Sequence, residues 1–251
     1  MRKAPPPTKG LTNVLIDSLL GILIASTVML LWLSSMIFLF SIDISQIPLV
    51  LIVLAVIGRA FLHTGLFITA HDAMHGTIFP LNSNVNDLVG SLATRIYALL
   101  PYKTLLEKHK LHHRYPATEQ DPDFFGQEQK NPLAWYLKFM KSYLEGKQSL
   151  VLLIGMTIIF FSLQLGLSIP ISNLLLFWVL PIFLSSIQLF YFGIFLPHRR
   201  PPGGYRNRHR AESKYYSVFW SLITCYHFGY HWEHHEFPYL PWYKLPSAVN
   251  S

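Results

Sequence analysis

The chain has 251 residues, of which 51% are hydrophobic and only 13% charged, with a formal net charge of +7. A charged share about half the ~25% of soluble domains, with apolar runs longer than ~18 residues, excludes an ordinary soluble domain and indicates a membrane protein. The positive charge is what a cytoplasmic membrane face carries rather than a sign of nucleic-acid binding. The single cysteine, Cys225, excludes an internal disulfide framework and a thiolate-rich metal site.

The start, "MRKAPPPTKG", is basic and then proline-rich. The apolar run behind it is too long for a signal-peptide core and lacks a small-residue cleavage site, so it reads as a retained first helix. Spans are predicted over residues 14–40, 48–70, 149–169 and 173–197, with "SIDISQIP" and "IPISN" as the short breaks inside each pair. Between the pairs, residues 71–147 are mixed. Their pieces "NVNDLVGSLATRIYALL" and "NPLAWYLKFMKSYLEGK" read as amphipathic helices lying on the membrane surface. Residues 198–251 are polar and aromatic. The two short breaks contain no Lys or Arg, and all basic residues except Arg59 fall in the N-terminal tail, the middle segment or the C-terminal region. The positive-inside rule puts those three regions on the cytoplasmic side. The expected fold is an all-α integral membrane protein, a single domain over 1–251. Four transmembrane helices form two hairpins, and a cytoplasmic helical cap (71–147 and 198–251) carries the histidine clusters.

Eight of the twelve histidines fall in three groups: His71 and His75 in "HDAMH"; His109, His112 and His113 in "HKLHH"; His231, His234 and His235 in "HWEHH". Positions i, i+3 and i+4 of a helix share a face, so each group can aim its imidazoles at a common point. Neutral imidazole is a ligand for iron, zinc, copper and nickel. Eight rings exceed the four ligands of a closed zinc site and suit two metal ions with positions left open. A histidine-rich metal transporter would instead place its ligands at the bilayer midplane. A zinc hydrolase would leave the surplus histidines unexplained.

These three groups resemble the histidine boxes of the membrane di-iron desaturase and hydroxylase superfamily in order, spacing and placement around two hairpins. With "QDPDF", "LPHRRPPGGYRNRHRAES" and "CYHFGYHWEHHEFPYLPWYKLP", the chain from about residue 12 resembles the bacterial and cyanobacterial β-carotene ketolases. The resemblance implies two iron ions, O2 as co-substrate, reduced ferredoxin as external electron donor, and β-carotene or a related carotenoid entering from the lipid of an inner or thylakoid membrane. It implies a ninth ligand between the second and third boxes, here His198 in "FLPHR". Acyl desaturases carry an Asn one turn before this histidine, where this chain has Ile194. A carotenoid hydroxylase and an acyl-lipid desaturase remain the alternatives within the superfamily.

Ligating histidines need partners for their second nitrogen. Asp72, Asp121, Asp123 and Glu233 are the candidates, Asp121 and Asp123 foremost. His63 and His227 are expected to be hydrogen-bonded histidines rather than ligands, and His209 to be exposed. Arg199, Arg200, Arg206, Arg208 and Arg210 form a basic segment suited to lipid headgroups or to an acidic donor such as ferredoxin. The chain has no flavin, haem or dinucleotide motif.

Overall fold

The computed structural model describes residues 10–126 and 131–249, so the basic residues of the N-terminal tail lie outside the described part. All regular structure among the described residues is helical. Four apolar helices are long enough to cross a bilayer: α1 (Leu11–Ser41), α2 (Leu49–Met74), α6 (Lys147–Gly166) and α7 (Ile171–His198). At ~1.5 Å per residue, even the shortest matches a ~30 Å hydrocarbon layer. α3 (Ser83–Ala98) is too short to do so. It starts where the Asn82 side chain accepts from the Asn84 N–H. α4 (Tyr102–Arg114), α5 (Pro132–Tyr143), α8 (Val218–Cys225) and α9 (His231–Glu236) complete the cap, and a 3-10 segment, Trp242–Ala248, closes the chain.

The second span outruns its expected end at residue 70. Nothing between Ala70 and Met74 breaks a helix, so α2 continues until Gly76, whose φ of +72° only glycine adopts freely. His71 and Asp72 therefore belong to the span and not to the cap. α6 stops earlier than expected, in a widened i→i+5 turn over Ser162–Gly166.

The two hairpin turns meet. Asn173, at the start of α7, donates its side-chain amide to Leu39 O (2.8 Å) and Ile42 O (2.9 Å) at the end of α1. Deeper in, Arg59 of α2 is buried without a carboxylate partner among its contacts. It donates to Phe177 O (3.0 Å), Trp32 O (2.6 Å) and the Ser35 hydroxyl (2.8 Å), and lies over the Trp32 ring. One cation thus ties α1, α2 and α7 through two backbone carbonyls and a hydroxyl. Trp32 in turn donates to His63 Nδ1 at 3.0 Å, which gives His63 the hydrogen-bonded role expected of it.

α7 carries i→i+5 turns over Leu175–Val179 and Phe190–Phe195, the second directly before Pro197 and His198. Such turns re-aim the side chains that follow them and recur at functional sites. The core is one apolar cluster built on Trp32, Leu66, Leu174, Phe177 and Phe228. A smaller one, around Trp135, Phe190 and Phe195, lies under the "QDPDF" loop.

α1 packs closely on the loop after α2. A Cβ built on Gly21 would lie 2.2 Å from the backbone oxygen of Ile78, whereas one on Gly58 would meet nothing within 4 Å. Gly21→Ala is therefore expected to cost about 1–3 kcal/mol through overpacking. Gly58→Ala is expected to leave stability unchanged or slightly raised. Thermal unfolding of the two purified variants in one detergent checks this; equal midpoints would contradict it.

Candidate metal centre

Nine imidazoles from four elements meet at the cap end of the bundle. α2 supplies His71 in its last turn and His75 just beyond it. α4 supplies His109, His112 and His113, α7 ends on His198, and α9 supplies His231, His234 and His235. They sort into two groups, His71, His75, His109, His113 and His234 in one and His112, His198, His231 and His235 in the other. Within each group the ligand nitrogens lie within 4.8 Å of one another.

The closest approaches are between Nε2 atoms. In the first group His75 and His109 are 2.7 Å apart, His113 and His234 2.9 Å, and His71 and His234 3.2 Å. In the second, His198 and His231 are 2.8 Å apart, His231 and His235 3.1 Å, and His112 and His235 3.2 Å. Lone pairs facing one another at such distances are unfavourable unless something positive sits between them. Nitrogens bonded at ~2.1 Å to one ion would span up to ~4.2 Å, so the spacing fits a transition metal in each group. Each HxxHH cluster is split: His109 and His113 face one group and His112 the other, while His231 and His235 face one and His234 the other.

Electrostatics keep the rings in the binding form. His113, His231, His234 and His235 are pushed well below the ordinary histidine value, first by burial and then by crowding among imidazoles. Neutral imidazole is the ligating form. His112 goes the other way: burial opposes its charge, but Asp121 and Asp123 outweigh burial and raise it.

The carboxylates divide their tasks. Asp121 accepts from His112 Nδ1 at 3.0 and 3.1 Å, which leaves Nε2 as the free lone pair. It also accepts from the N–H groups of Ala117 (2.8 Å) and Asp123 (2.9 Å), and with Asp123 it forms a third cluster of possible ligand atoms around His112. Burial raises the Asp121 carboxyl, but His112 prevails and holds it below its usual value. Asp123, raised to about 6 by burial despite His112, lies 3.6 Å from His112 Nδ1 and accepts instead from the Tyr143 hydroxyl at 2.6 Å. Asp72 differs from the role expected of it. At 3.6 Å from His71 Nδ1 it makes no hydrogen bond there, and it accepts from the Trp242 N–H at 3.1 Å. It clips the C-terminal segment to α2, as the Lys244–Asp17 ion pair clips it to α1. Glu233 likewise accepts from Ser213 and Tyr215, not from a histidine.

Sequence reasoning missed the partner of His198, whose Nδ1 donates to the backbone carbonyl of Arg210 at 3.0 Å. A carbonyl has no residue signature, so no motif could have marked it. His209 is not simply exposed: it pairs with Glu236 (2.7 Å), with its ring 5.6 Å from that of His235. His227 belongs to neither group and stacks against Trp242. Of the basic segment, Arg208 pairs with Glu236 and Arg210 donates to Ala117 O, while Arg199, Arg200 and Arg206 are exposed.

A cavity of about 220 Å³ reaches both groups. Its wall includes His71 and His109 of the first and His112 and His231 of the second. The rest is largely apolar, from Phe67, Leu105 and Phe228 inside to Phe183, which is 58% exposed on the outer face of α7. Ile194 lies on this wall, directly in the turn before His198. A larger surface hollow, about 500 Å³ beside Tyr115 and Arg210, has no histidine in its lining.

The purified chain is expected to hold two metal ions. Asp121→Asn should weaken retention about 10–100-fold, the usual cost of losing a ligand's outer partner. Metal content after graded chelator challenge measures this, with Asp43→Asn in the distant hairpin turn as the unaffected control. Identical release from both variants would show that Asp121 does not hold a ligand.

The "Fatty acid desaturase" family profile matches residues 45–165 and 138–250. A beta-carotene ketolase of Paracoccus sp. (strain PC1) is 38% identical over 234 residues, 92% of this chain and 93% of that protein. Another, of Paracoccus sp. (strain N81106 / MBIC 01143), is 41% identical over 193 residues, 76% of each. A zeaxanthin 4-ketolase of Chlamydomonas reinhardtii is 36% identical over 242 residues, 91% of this chain and 53% of that protein. No solved structure matches the chain. With its histidine boxes gathered at one end of four apolar helices, the chain belongs to the fatty acid desaturase family, alongside the beta-carotene ketolases that it resembles over most of its length.

Proposed function

We propose that this chain is a β-carotene 4-ketolase, which oxidises the C4 and C4′ methylenes of β-ionone rings to ketones. The observation that carries the reading, beside the ketolase relatives, is the apolar cavity that runs from the outer face of α7 to four of the nine histidines. Its volume of about 220 Å³ is small beside the roughly 300–1,000 Å³ of sites that enclose a drug-sized ligand. It therefore takes one end of a long apolar molecule and leaves the remainder outside, among the lipid tails beside α6 and α7. A polyene with no polar handle has only shape and apolar contact to place its ring, and Ile194, Phe228 and Leu105 provide both. The apolar wall also keeps bulk water from the reacting carbon.

His71, His75, His109, His113 and His234 would hold one iron and His112, His198, His231 and His235 the other. When bound, the pair of irons supplies O2 activation. Each round consumes one O2, two electrons and two protons, and releases one water. The first converts the C4 methylene to a secondary alcohol, and the second gives a geminal diol that loses water to form the ketone. Asp121 and the Arg210 carbonyl orient His112 and His198 throughout. Ile194 replaces the Asn of acyl desaturases with an apolar group on the cavity wall, which favours a hydrocarbon substrate.

The chain works as one membrane domain with its histidine boxes on the cytoplasmic side, where the basic residues of the cap and tail belong. Electrons come from a separate donor, reduced ferredoxin, which docks on Arg199, Arg200 and Arg206. Charge reversal at Arg199 and Arg206 is expected to slow turnover several-fold at low salt and to flatten its salt dependence. Unchanged rates across salt concentrations would remove the docking face.

Pigment analysis tests the reaction itself. β-Carotene-producing bacteria expressing the chain should accumulate echinenone and canthaxanthin, and those expressing His112→Ala neither. Hydroxylated carotenoids alone would make the chain a hydroxylase. Unchanged β-carotene, with the protein in the membrane and donor supplied, would point to lipid desaturation.

A further inference from the structure

Besides histidines, the cavity wall contains a carboxylate, for which a hydrocarbon has no use. Asp123 is only 5% exposed and lines the cavity beside His112. Its Oδ1 accepts from the Tyr143 hydroxyl, and its backbone is held at both ends, N–H to Asp121 and carbonyl to the Trp135 indole at 2.7 Å. Tyr143 lines the same cavity and lies under the Lys108 ammonium, 4.5 Å from its ring centre. The carboxylate is therefore fixed. Its second oxygen, Oδ2, lies 3.6 Å from His112 Nδ1, but that N–H is already directed at Asp121. Among the described residues no donor lies within hydrogen-bond distance of Oδ2. Among the wall hydroxyls, that of Tyr97 pairs with Ser185 and that of Ser186 with Tyr136 and Phe183 O, while the Nδ1 atoms of His71 and His231 are unpartnered.

A fixed carboxylate oxygen on a cavity wall, with no donor of the protein on it, is an acceptor that a ligand hydroxyl can use. β-Carotene has no donor to offer. A ring hydroxyl has one, and the first oxygenation creates such a hydroxyl at the carbon that the histidines face. We propose that Asp123, positioned by Tyr143, is a hydroxyl-binding subsite that retains the 4-hydroxy ring for its second oxidation. Asp123 is thus a specificity residue for the ketone rather than an outer partner of His112. The inference rests on the ketolase reading and explains why the reaction does not stop at the alcohol. A 3-hydroxyl, already present on a hydroxylated carotenoid, has the same chemistry one carbon away, so the two sources must be separated by experiment.

Asp123→Asn keeps the size and the oxygen facing Tyr143 but replaces the cavity-facing acceptor with an amide donor. Tyr143→Phe, which frees the carboxylate to turn away, is the second variant should the first fail to accumulate. In β-carotene-producing cells either variant should raise the ratio of 4-hydroxy to 4-keto product about tenfold, the scale of one charge-assisted hydrogen bond. A merely structural role would lower both products together and leave their ratio unchanged, which overturns the proposal. Native chain that yields neither alcohol nor ketone would instead refute the ketolase reading. Binding to the iron-loaded protein without oxygen gives an independent readout. The native protein should prefer 4-hydroxy-β-carotene over β-carotene about tenfold, and Asp123→Asn should lose that preference. No preference, or one confined to the 3-hydroxy ring, would overturn the retention role.

Discussion

Nine imidazoles have to present neutral nitrogens within a few ångströms of one another at the end of an apolar bundle. Burial and mutual crowding disfavour protonation, so the same packing that brings the rings together also prepares them to bind metal. The cost is that each ring needs its second nitrogen satisfied or at least undisturbed. His112 and His198, oriented by Asp121 and by the Arg210 carbonyl, both belong to the four-membered group.

The remainder of the molecule supports this arrangement. Two hairpins are joined at their turns by Asn173 and deeper down by Arg59, which fixes where α2 and α7 end relative to each other. Those ends carry His71 and His198. α4 and α9 are short helices that cannot stand alone, and each contributes imidazoles to both histidine groups, where the cap elements meet. The C-terminal segment is held from both sides, by Asp72 on α2 and Asp17 on α1. A carboxylate beside a histidine box thus serves to close the chain over the site.

The cavity connects this centre to the membrane. It meets both histidine groups and is bounded by the widened turn of α7 around Gly193 and Ile194. An apolar slot explains how an unfunctionalised polyene is accepted. A single fixed carboxylate within it is a feature of another kind, because it distinguishes what enters from what is made.

Much was determined by local sequence. Apolar runs of bilayer length identify four spans whatever they pack against, since lipid requires every backbone group to be satisfied within the helix. Three histidine groups at helical spacing pointed to a candidate metal site, and the family resemblance added His198 to it; the structure brings all nine rings together. Helix ends were less legible: "HDAMH" is polar but contains no helix breaker, so α2 absorbed His71 and Asp72. Only the tertiary structure decided how each HxxHH cluster divides between two groups, because i+3 and i+4 lie on opposite sides of the line facing the partner helix. Only it distinguished Asp121 from Asp123, two residues apart in one loop, and assigned His198 to a backbone carbonyl. Spacing along a chain fixes which face a side chain shares, whereas its hydrogen-bond partner depends on which distant segment packs against that face.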